Sequence, residues 1–374
     1  MRLLIIIAGI EDSQGGPAAG TLALCKALSY LGIKVTLYTL EPRSAFHAPE
    51  GLDLEVVFFP RSWPGRYSNS RSLIGKLKET VRKFDLVHIR GLWNLVSSRS
   101  ALVCAQVRKP YVITPHGMLS AWNRSFFSVK ELYFRLFERR VLENASFVHY
   151  VSTAEEQASS VHIRKVPSGV IPNGFWEADL YNADPVGFRR RFGLDCSPFV
   201  ISVGRLHPIK RLDLQCEAFV VLSGKFPDLK WVFAGPDEGM RKWIERFSER
   251  HGLGERIILT GLLRGAEKAS ALAAASVYCQ TSDHEGHSLA IVEALAAGKP
   301  CVITAGCNFG ALAAAHAGIE VKANPNEIAS AIEVLLSKGG VAEQMSRNAA
   351  SLAKSRYTWE AIAVEMNRVY EKAI

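Results

Sequence analysis

Two glutamates, Glu285 and Glu293, stand in the stretch SDHEGHSLAIVEALAAGKP at residues 282–300. The first lies in a polar segment and the second interrupts an apolar run. Ser288 suits a helix N-cap, Leu289–Ala297 a helix, and Gly298 its C′ residue. The free N–H groups of Leu289, Ala290 and Ile291 would then form an anion site at the helix N-terminus. Glu293 falls about one turn deeper. A helix apolar on nearly every side is expected to be buried, and a carboxylate inside it needs partners. Ribose hydroxyls fit, because a carboxylate accepts two hydrogen bonds from a diol. A structural bridge to Arg205 or another cation fits as well. Glu285 is placed to meet a hydroxylated ligand on the far side of bound phosphates.

Cations with matching chemistry occur upstream. VGRLHPIKRLD carries Arg205 and Lys210 across a strand end and a helix start. Two such cations can hold a diphosphate, Arg through a planar fork and Lys as a point charge. Arg211 adds a third positive charge, and a plain charged surface is the competing reading. Near the N-terminus, Gly15-Gly16-Pro17 opens a helix with Pro17 in its first turn. The small residues let backbone N–H groups approach a phosphate or sugar, with a plain strand-to-helix turn as the competing reading. The spacing is not G-x-G-x-x-G, so the dinucleotide fingerprint is absent. His116, in TPHGML, directly follows a strand.

Other chemistries lack their residues. There is no D-x-D, and HEGH is not H-E-x-x-H, so no metal site is expected. The seven cysteines form no C-x-x-C and sit mostly in apolar runs, as buried thiols of a reducing compartment do. The apolar start MRLLIIIAGI is too short for a signal peptide with the segment that follows it, and reads as a buried strand. No apolar run reaches the ~20 residues of a membrane span, so a cytosolic protein is expected. The net charge of +9 is uneven: residues 1–190 hold 24 Lys and Arg against 16 Asp and Glu. A basic first half can attract phosphates, an anionic acceptor or an anionic membrane surface, and a plain solvated surface is the competing reading. No nucleic-acid motif accompanies it. The stretch at residues 123–145 spaces aromatics and cations as a membrane-surface helix does, although core packing with a charged outer face gives the same pattern.

The elements that must position these residues alternate. Apolar runs such as RLLIIIAG, KVTLYTL, FDLVHIR and PYVITPHG, then FVISVGR, KWVFAGP, RIILTG and SVYCQTS, are separated by helical patterns. This predicts parallel sheets covered on both faces. About thirteen strands are too many for one doubly wound sheet. Two Rossmann-like domains fit, linked through the polar stretch at residues 174–187; a parallel barrel is the alternative. In such sheets ligands bind beyond the carboxyl ends of the strands.

DHEGHSLAIVEALAAGKPCV resembles the E-x7-E motif of retaining GT-B glycosyltransferases, in particular glycosyltransferase family 4 (group 1). GRLHPIKRLD resembles that family's diphosphate-binding motif, and FAGPDEG and LTGLL its nucleotide-pocket strands. VIPNG resembles the end of its first domain. TPHGML resembles an acceptor-domain motif of bacterial envelope-polysaccharide members. YTWEAIAVEMNRVYEKAI resembles the helix that crosses back to the first domain.

The resemblance implies a GT-B fold, with two Rossmann-like domains facing a central cleft. It implies an acceptor-binding domain at 1–178 with a C-terminal helix at 357–374, and a donor-binding domain at 179–356. The implied reaction moves a sugar from a nucleotide-sugar, UDP- or GDP-linked, to a hydroxyl of a glycan or lipid-linked acceptor, with retention, no metal and no cofactor. Arg205 and Lys210 would neutralise the leaving diphosphate, with help from the N-terminus at Ser288, Leu289 and Ala290. Glu293 would hold the ribose and Glu285 a hydroxyl of the donor sugar. His116 would contact that sugar near its anomeric carbon. Gly16 would place its N–H near phosphates or acceptor, and Gly261 and Leu262 would border the nucleotide. The chain departs from the family pattern at His287-Ser288, at Arg211 after the lysine, and at Gly310-Ala311. A sugar-nucleotide epimerase and a non-catalytic nucleotide-sugar binder are the alternatives.

Overall fold

The computed structural model describes residues 1–11, 15–42, 54–64, 67–119, 129–159 and 166–374. They divide into two compact units, residues 1–173 with 359–374, and residues 174–358.

The first unit is built on seven strands: β1 Arg2–Ile7, β2 Lys34–Leu40, β3 Glu55–Phe59, β4 Leu86–Arg90, β5 Tyr111–Thr114, β6 Phe147–Tyr150 and β7 Ser168–Val170. Their order is β3-β2-β1-β4-β5-β6-β7, and every pairing is parallel. The central strands are Val, Ile and Leu rich because a sheet with helices on both faces has no wet side. The order reverses between β1 and β4, where Ile7 pairs with Arg90. Crevices at such reversals, beyond the carboxyl ends of the strands, are where open sheets of this kind bind ligands.

Helix Gly16–Tyr30 follows β1. Gly15 precedes it at φ 63 and ψ −138, a conformation that excludes a Cβ. A Cβ on Gly20 would lie 2.9 Å from Oδ1 of the buried Asn173, so this glycine lets the end of the first unit close on the helix. Helix Trp359–Ala373 packs beside helix Gly16–Tyr30 and completes the cover of the first sheet. Its Tyr370 is fully buried and bonds to His88 of β4.

The second unit carries β8 Phe199–Val203, β9 Lys230–Ala234, β10 Ile257–Gly261, β11 Val277–Gln280, β12 Cys301–Thr304 and β13 Gly318–Val321, in the order β10-β9-β8-β11-β12-β13, again all parallel. Its order reverses between β8 and β11. The stretch expected as a linker is more ordered than its composition suggests. It folds as helices Glu177–Tyr181 and Pro185–Arg191, the second started by Pro185 and capped by Asp184, which accepts from the Gly187 N–H at 2.8 Å.

Among the described residues no helix is long and apolar enough to cross a membrane. All seven cysteines are free, and all but Cys196 are buried.

Candidate functional site

The reversal in the second sheet brings two loops together. The loop after β8 runs from Gly204 to Arg211 and the loop after β11 from Thr281 to Ser288. They are stitched by backbone and side chain. The Asp283 N–H donates to the Ile209 carbonyl at 2.9 Å, and the Thr281 hydroxyl contacts the carbonyls of Lys210 and Arg211 at 2.9 and 2.8 Å. Glycines let neighbouring loops touch. A Cβ on Gly235, after β9, would collide with the Gly204 carbonyl, and one on Gly306, after β12, with those of Ser282 and Asp283.

This packing joins Lys210 to Glu285 across 75 residues of chain, Nζ to Oε1 at 2.5 Å. The same carboxylate oxygen accepts from the Ser282 hydroxyl at 2.6 Å and the Gln280 amide at 3.0 Å. Gln280 is fixed in turn by the Tyr278 and Ser288 hydroxyls, which donate to its Oε1. Asn308 donates to the Glu285 carbonyl at 2.8 Å. Glu285 is therefore positioned by a scaffold of amides and hydroxyls that the motif alone does not reveal. Arg205 pairs with Glu238 at 2.7 Å.

Helix Leu289–Ala296 starts at Ser288, whose oxygen accepts from the Ile291 N–H at 3.4 Å, and Gly298 follows it at φ 66. The expected cap, helix and stop are all present. The expected burial of Glu293 is not: its side chain is 21% exposed and is bridged to Lys268 at 2.6 Å. The side of the helix that carries Glu293 is open, because Glu293 and Ala296 border a recess lined also by Phe175, Trp176, Gly265 and Lys268. The structural bridge is thus present, with Lys268 rather than Arg205 as the cation. Gly261 (φ 75) ends β10 and the exposed Leu262 follows it, on the far side of β9 from β8.

Arg211 does not supply a free third cation. Its guanidinium pairs with Asp213 at 2.9 Å and with Asp283 at 3.2 Å. Its backbone is left-handed, φ 47 and ψ 47, which favours glycine. His287 is sandwiched as an aromatic ring, with centroids 5.0 Å from Phe309 and 5.7 Å from Tyr357. Burial lowers its pKa to about 3, so it is a neutral packing group.

In the first unit, His116 follows β5 in a left-handed conformation, φ 56, with Gly117 at φ 78. Burial, with Arg90 and His149 nearby, holds His116 well below the ordinary imidazole range. The turn is clamped by Glu155, whose carboxylate accepts from the Gly117 N–H and, at 2.9 Å, from the Val151 N–H. Glu155 carries no signal in the sequence, since its link to Gly117 depends on β5 and β6 lying side by side. Gly16 sits at the first turn of its helix with open space around its Cα. Residues 12–14, which precede it in the sequence, lie outside the described residues. So do residues 123–128 of the suspected surface helix. Its described part places Leu132 and Leu136 at 59% and 54% exposure while burying Glu131 and Glu138. Among the described residues no cluster of three or more His, Cys, Asp or Glu could hold a metal ion.

Two family models match the chain. The one described as Glycosyltransferase Family 4 spans residues 14–175, and the one described as Glycosyl transferases group 1 spans residues 188–352. An uncharacterised glycosyltransferase of Methanocaldococcus jannaschii is 26% identical over 79% of this chain and 77% of its own length. A phosphatidyl-myo-inositol mannosyltransferase of Mycolicibacterium smegmatis is 25% identical over 99% of this chain and 94% of its own. Among solved structures, Anabaena HepE in complex with UDP and glucose superposes with a TM-score of 0.82 at 20% identity, covering 99% of each chain. Sucrose-phosphate synthase from Thermosynechococcus elongatus gives 0.78 at 21%, covering 100% of this chain and 98% of that one. Two all-parallel sheets, a C-terminal helix completing the first, and two models that divide the chain between them lead to one conclusion: the chain belongs to the GT-B glycosyltransferases of family 4, group 1.

Proposed function

We propose that the protein transfers a hexose from a nucleotide-sugar, UDP- or GDP-linked, to a hydroxyl of a glycan or lipid-linked acceptor, with retention and without a metal. The observation that carries this reading is the Lys210–Glu285 pair at the sheet reversal, beside the N-terminus of helix Leu289–Ala296. The complex of HepE with UDP and glucose supports the same donor class.

In this reading Arg205 and Lys210 are held ready by carboxylates. A bound diphosphate replaces Glu238 and Glu285 as their partner, and the transition state gains because negative charge grows on the leaving diphosphate. The free N–H groups of Leu289 and Ala290 share that charge. Released by Lys210, Glu285 keeps its Ser282 and Gln280 contacts and turns its remaining capacity to a sugar hydroxyl. Glu293 exchanges Lys268 for the ribose diol. His116, neutral, is suited to donate or accept one hydrogen bond to the donor sugar rather than to carry charge. No side chain is assigned as base; a donor phosphate oxygen takes the acceptor proton.

The exposed Leu132 and Leu136, one turn apart and flanked by Arg135, Arg139 and Arg140, suit contact with an anionic membrane. That placement fits a lipid-linked acceptor in bacterial polysaccharide synthesis on the cytosolic face.

The test is a panel of UDP-, GDP- and ADP-sugars read by thermal shift, followed by transfer assays with and without EDTA. Stabilisation by one nucleotide-sugar, and transfer indifferent to EDTA, are expected. Binding without transfer to any acceptor would mark a non-catalytic binder, epimerised donor would mark an epimerase, and magnesium-restored activity would overturn the metal-free mechanism.

A further inference from the structure

Arg90 is the last residue of β4, at the reversal of the first sheet. It is 1% exposed, and its Nε and Nη1 are buried without a hydrogen-bond partner. The groups that favour its charged form are the Tyr370 hydroxyl and the Cys25 thiol. Burial pushes the pKa of both up, so neither is an anion at neutral pH. Arg90 itself is lowered by burial only to about 10, and so stays protonated. Its other titratable neighbours are imidazoles, His88, His116 and His149, which burial, with help from its charge, keeps neutral. A full positive charge therefore sits inside the first unit, and among the described residues no carboxylate is set against it. An isolated buried charge is among the most costly features a fold can carry, and hydrogen bonding to an anion is what offsets it.

A second unsatisfied group lies beside it. His116 is the second residue of the loop after β5, the strand next to β4, where Arg90 pairs with Thr114. Its Nε2 is buried and also lacks a partner. The Glu155 clamp on Gly117 and the left-handed φ of His116 fix this turn. Cation and imidazole thus lie at the carboxyl ends of adjacent strands, the place where such sheets take ligands.

We propose that Arg90 and His116 together hold one oxyanion, a carboxylate or a phosphate, carried by a substrate of the transferase. The enzyme then handles an acidic or phosphorylated sugar, and Arg90 is the residue that selects it over a neutral one. This rests on the transferase reading above, but the anion site is measurable without turnover. The shared chemistry has two sources, a uronic acid in the donor or an anionic acceptor.

The experiment is calorimetry on the full chain, wild type against Arg90→Gln and Arg90→Lys. UDP-glucuronate and UDP-glucose probe the donor. Glucuronate, glucose 6-phosphate and glucose, each added with saturating UDP, probe the acceptor. The wild type should prefer an anionic probe to its neutral partner. Arg90→Gln should lose about 10- to 100-fold of that preference, the worth of a hydrogen bond to a charged group, and Arg90→Lys should keep part of it. Preference for UDP-glucuronate assigns the anion to the donor, and preference for a free acid or phosphate assigns it to the acceptor. Should Arg90→Gln fail to fold, Arg90→Lys, which keeps the charge but loses the planar fork, decides the matter by a weakened or unchanged preference. A wild type indifferent to charge in every pair, or a variant that keeps the full preference, overturns the proposal. Loss of nucleotide binding with an intact response to the free anions would instead overturn the donor site and leave Arg90 standing.

Discussion

Tyr370 of helix Trp359–Ala373 lies 2.7 Å from Nδ1 of His88, across 282 residues of chain. The contact opens a buried series: His88 Nε2 meets the Thr114 hydroxyl at 2.7 Å, Thr114 meets His149 Nδ1 at 2.8 Å, and His149 Nε2 meets the Ile171 carbonyl at 2.7 Å. Its direction follows from the far end. A carbonyl only accepts, so His149 carries its proton on Nε2 and accepts on Nδ1. Thr114 must then donate to His149 and accept from His88, which leaves His88 Nδ1 to accept from Tyr370. One arrangement of protons satisfies every member, and it requires both imidazoles to be neutral.

Tyr370→Phe removes the donor at the head of this series and leaves a buried acceptor on His88 unsatisfied. The expected loss is about 1–3 kcal/mol of stability, seen as a lower urea midpoint. A loss below about 0.5 kcal/mol would mean that the ring, and not the hydroxyl, holds the helix.

Stability should fall on acidification. His88 and His116 have folded pKa values well below 6.5, and those of His149 and His287 are about 3, chiefly through burial. The unfolded chain binds protons below about 6.5 that the native chain refuses, so this stability is complete above that pH and is lost as pH falls. Glu138 and Glu155 act with the opposite sign. Burial raises both to about 7, so their contribution is lost as pH rises from about 4.5 through 7. Near pH 5 the four imidazoles outweigh the two carboxyls, and unfolding takes up about two protons net. The urea midpoint should therefore drop between pH 6.5 and pH 5; a flat or rising midpoint would falsify the neutral-imidazole picture.

Arg211 offers a comparison of backbone against charge. A left-handed residue other than glycine costs roughly 1–2 kcal/mol. Half-exposed ion pairs such as those with Asp213 and Asp283 return about 0–1 kcal/mol each. Arg211→Gly relieves the backbone while losing the pairs, and is expected within about 1 kcal/mol of the wild type. Arg211→Ala loses the pairs and keeps the strain, so it should be the less stable of the two. The reverse order in thermal melts would show that the pairs dominate.

The exposed leucines make membrane contact measurable. The protein should co-sediment with anionic vesicles at low salt, and Leu132→Ser with Leu136→Ser should reduce the bound fraction severalfold. No sedimentation of the wild type, or none that depends on these leucines, removes the contact.

The sequence is most readable where chemistry follows local spacing. Ser288, Leu289–Ala296 and Gly298 form a cap, helix and stop through near neighbours, and the apolar runs name the thirteen strands of the described residues. It is least readable where partners meet only after folding. Lys268 reaches Glu293 across 25 residues and Lys210 reaches Glu285 across 75, so each carboxylate has a cation that no motif announces. Glu293 sits in an apolar run, yet its side of the helix faces a recess, which periodicity alone cannot distinguish from a core. Arg90 is visible in FDLVHIRG as a charge at a strand end. It passes for surface until the cover of the sheet, including Tyr370, is in place.

Residues 359–374 belong to the first unit, and the whole of the second unit lies between them and Asn173. In genetic terms the second unit is an insertion near the end of the first. Synthesis therefore delivers a contiguous second unit before the first has received its final helix. Until Tyr370 is made, His88 lacks its partner and Arg90 part of its cover, so the first unit is unfinished when all of the second has been synthesised. A stop codon near residue 358 would leave the second unit fully encoded and take from the first its last helix.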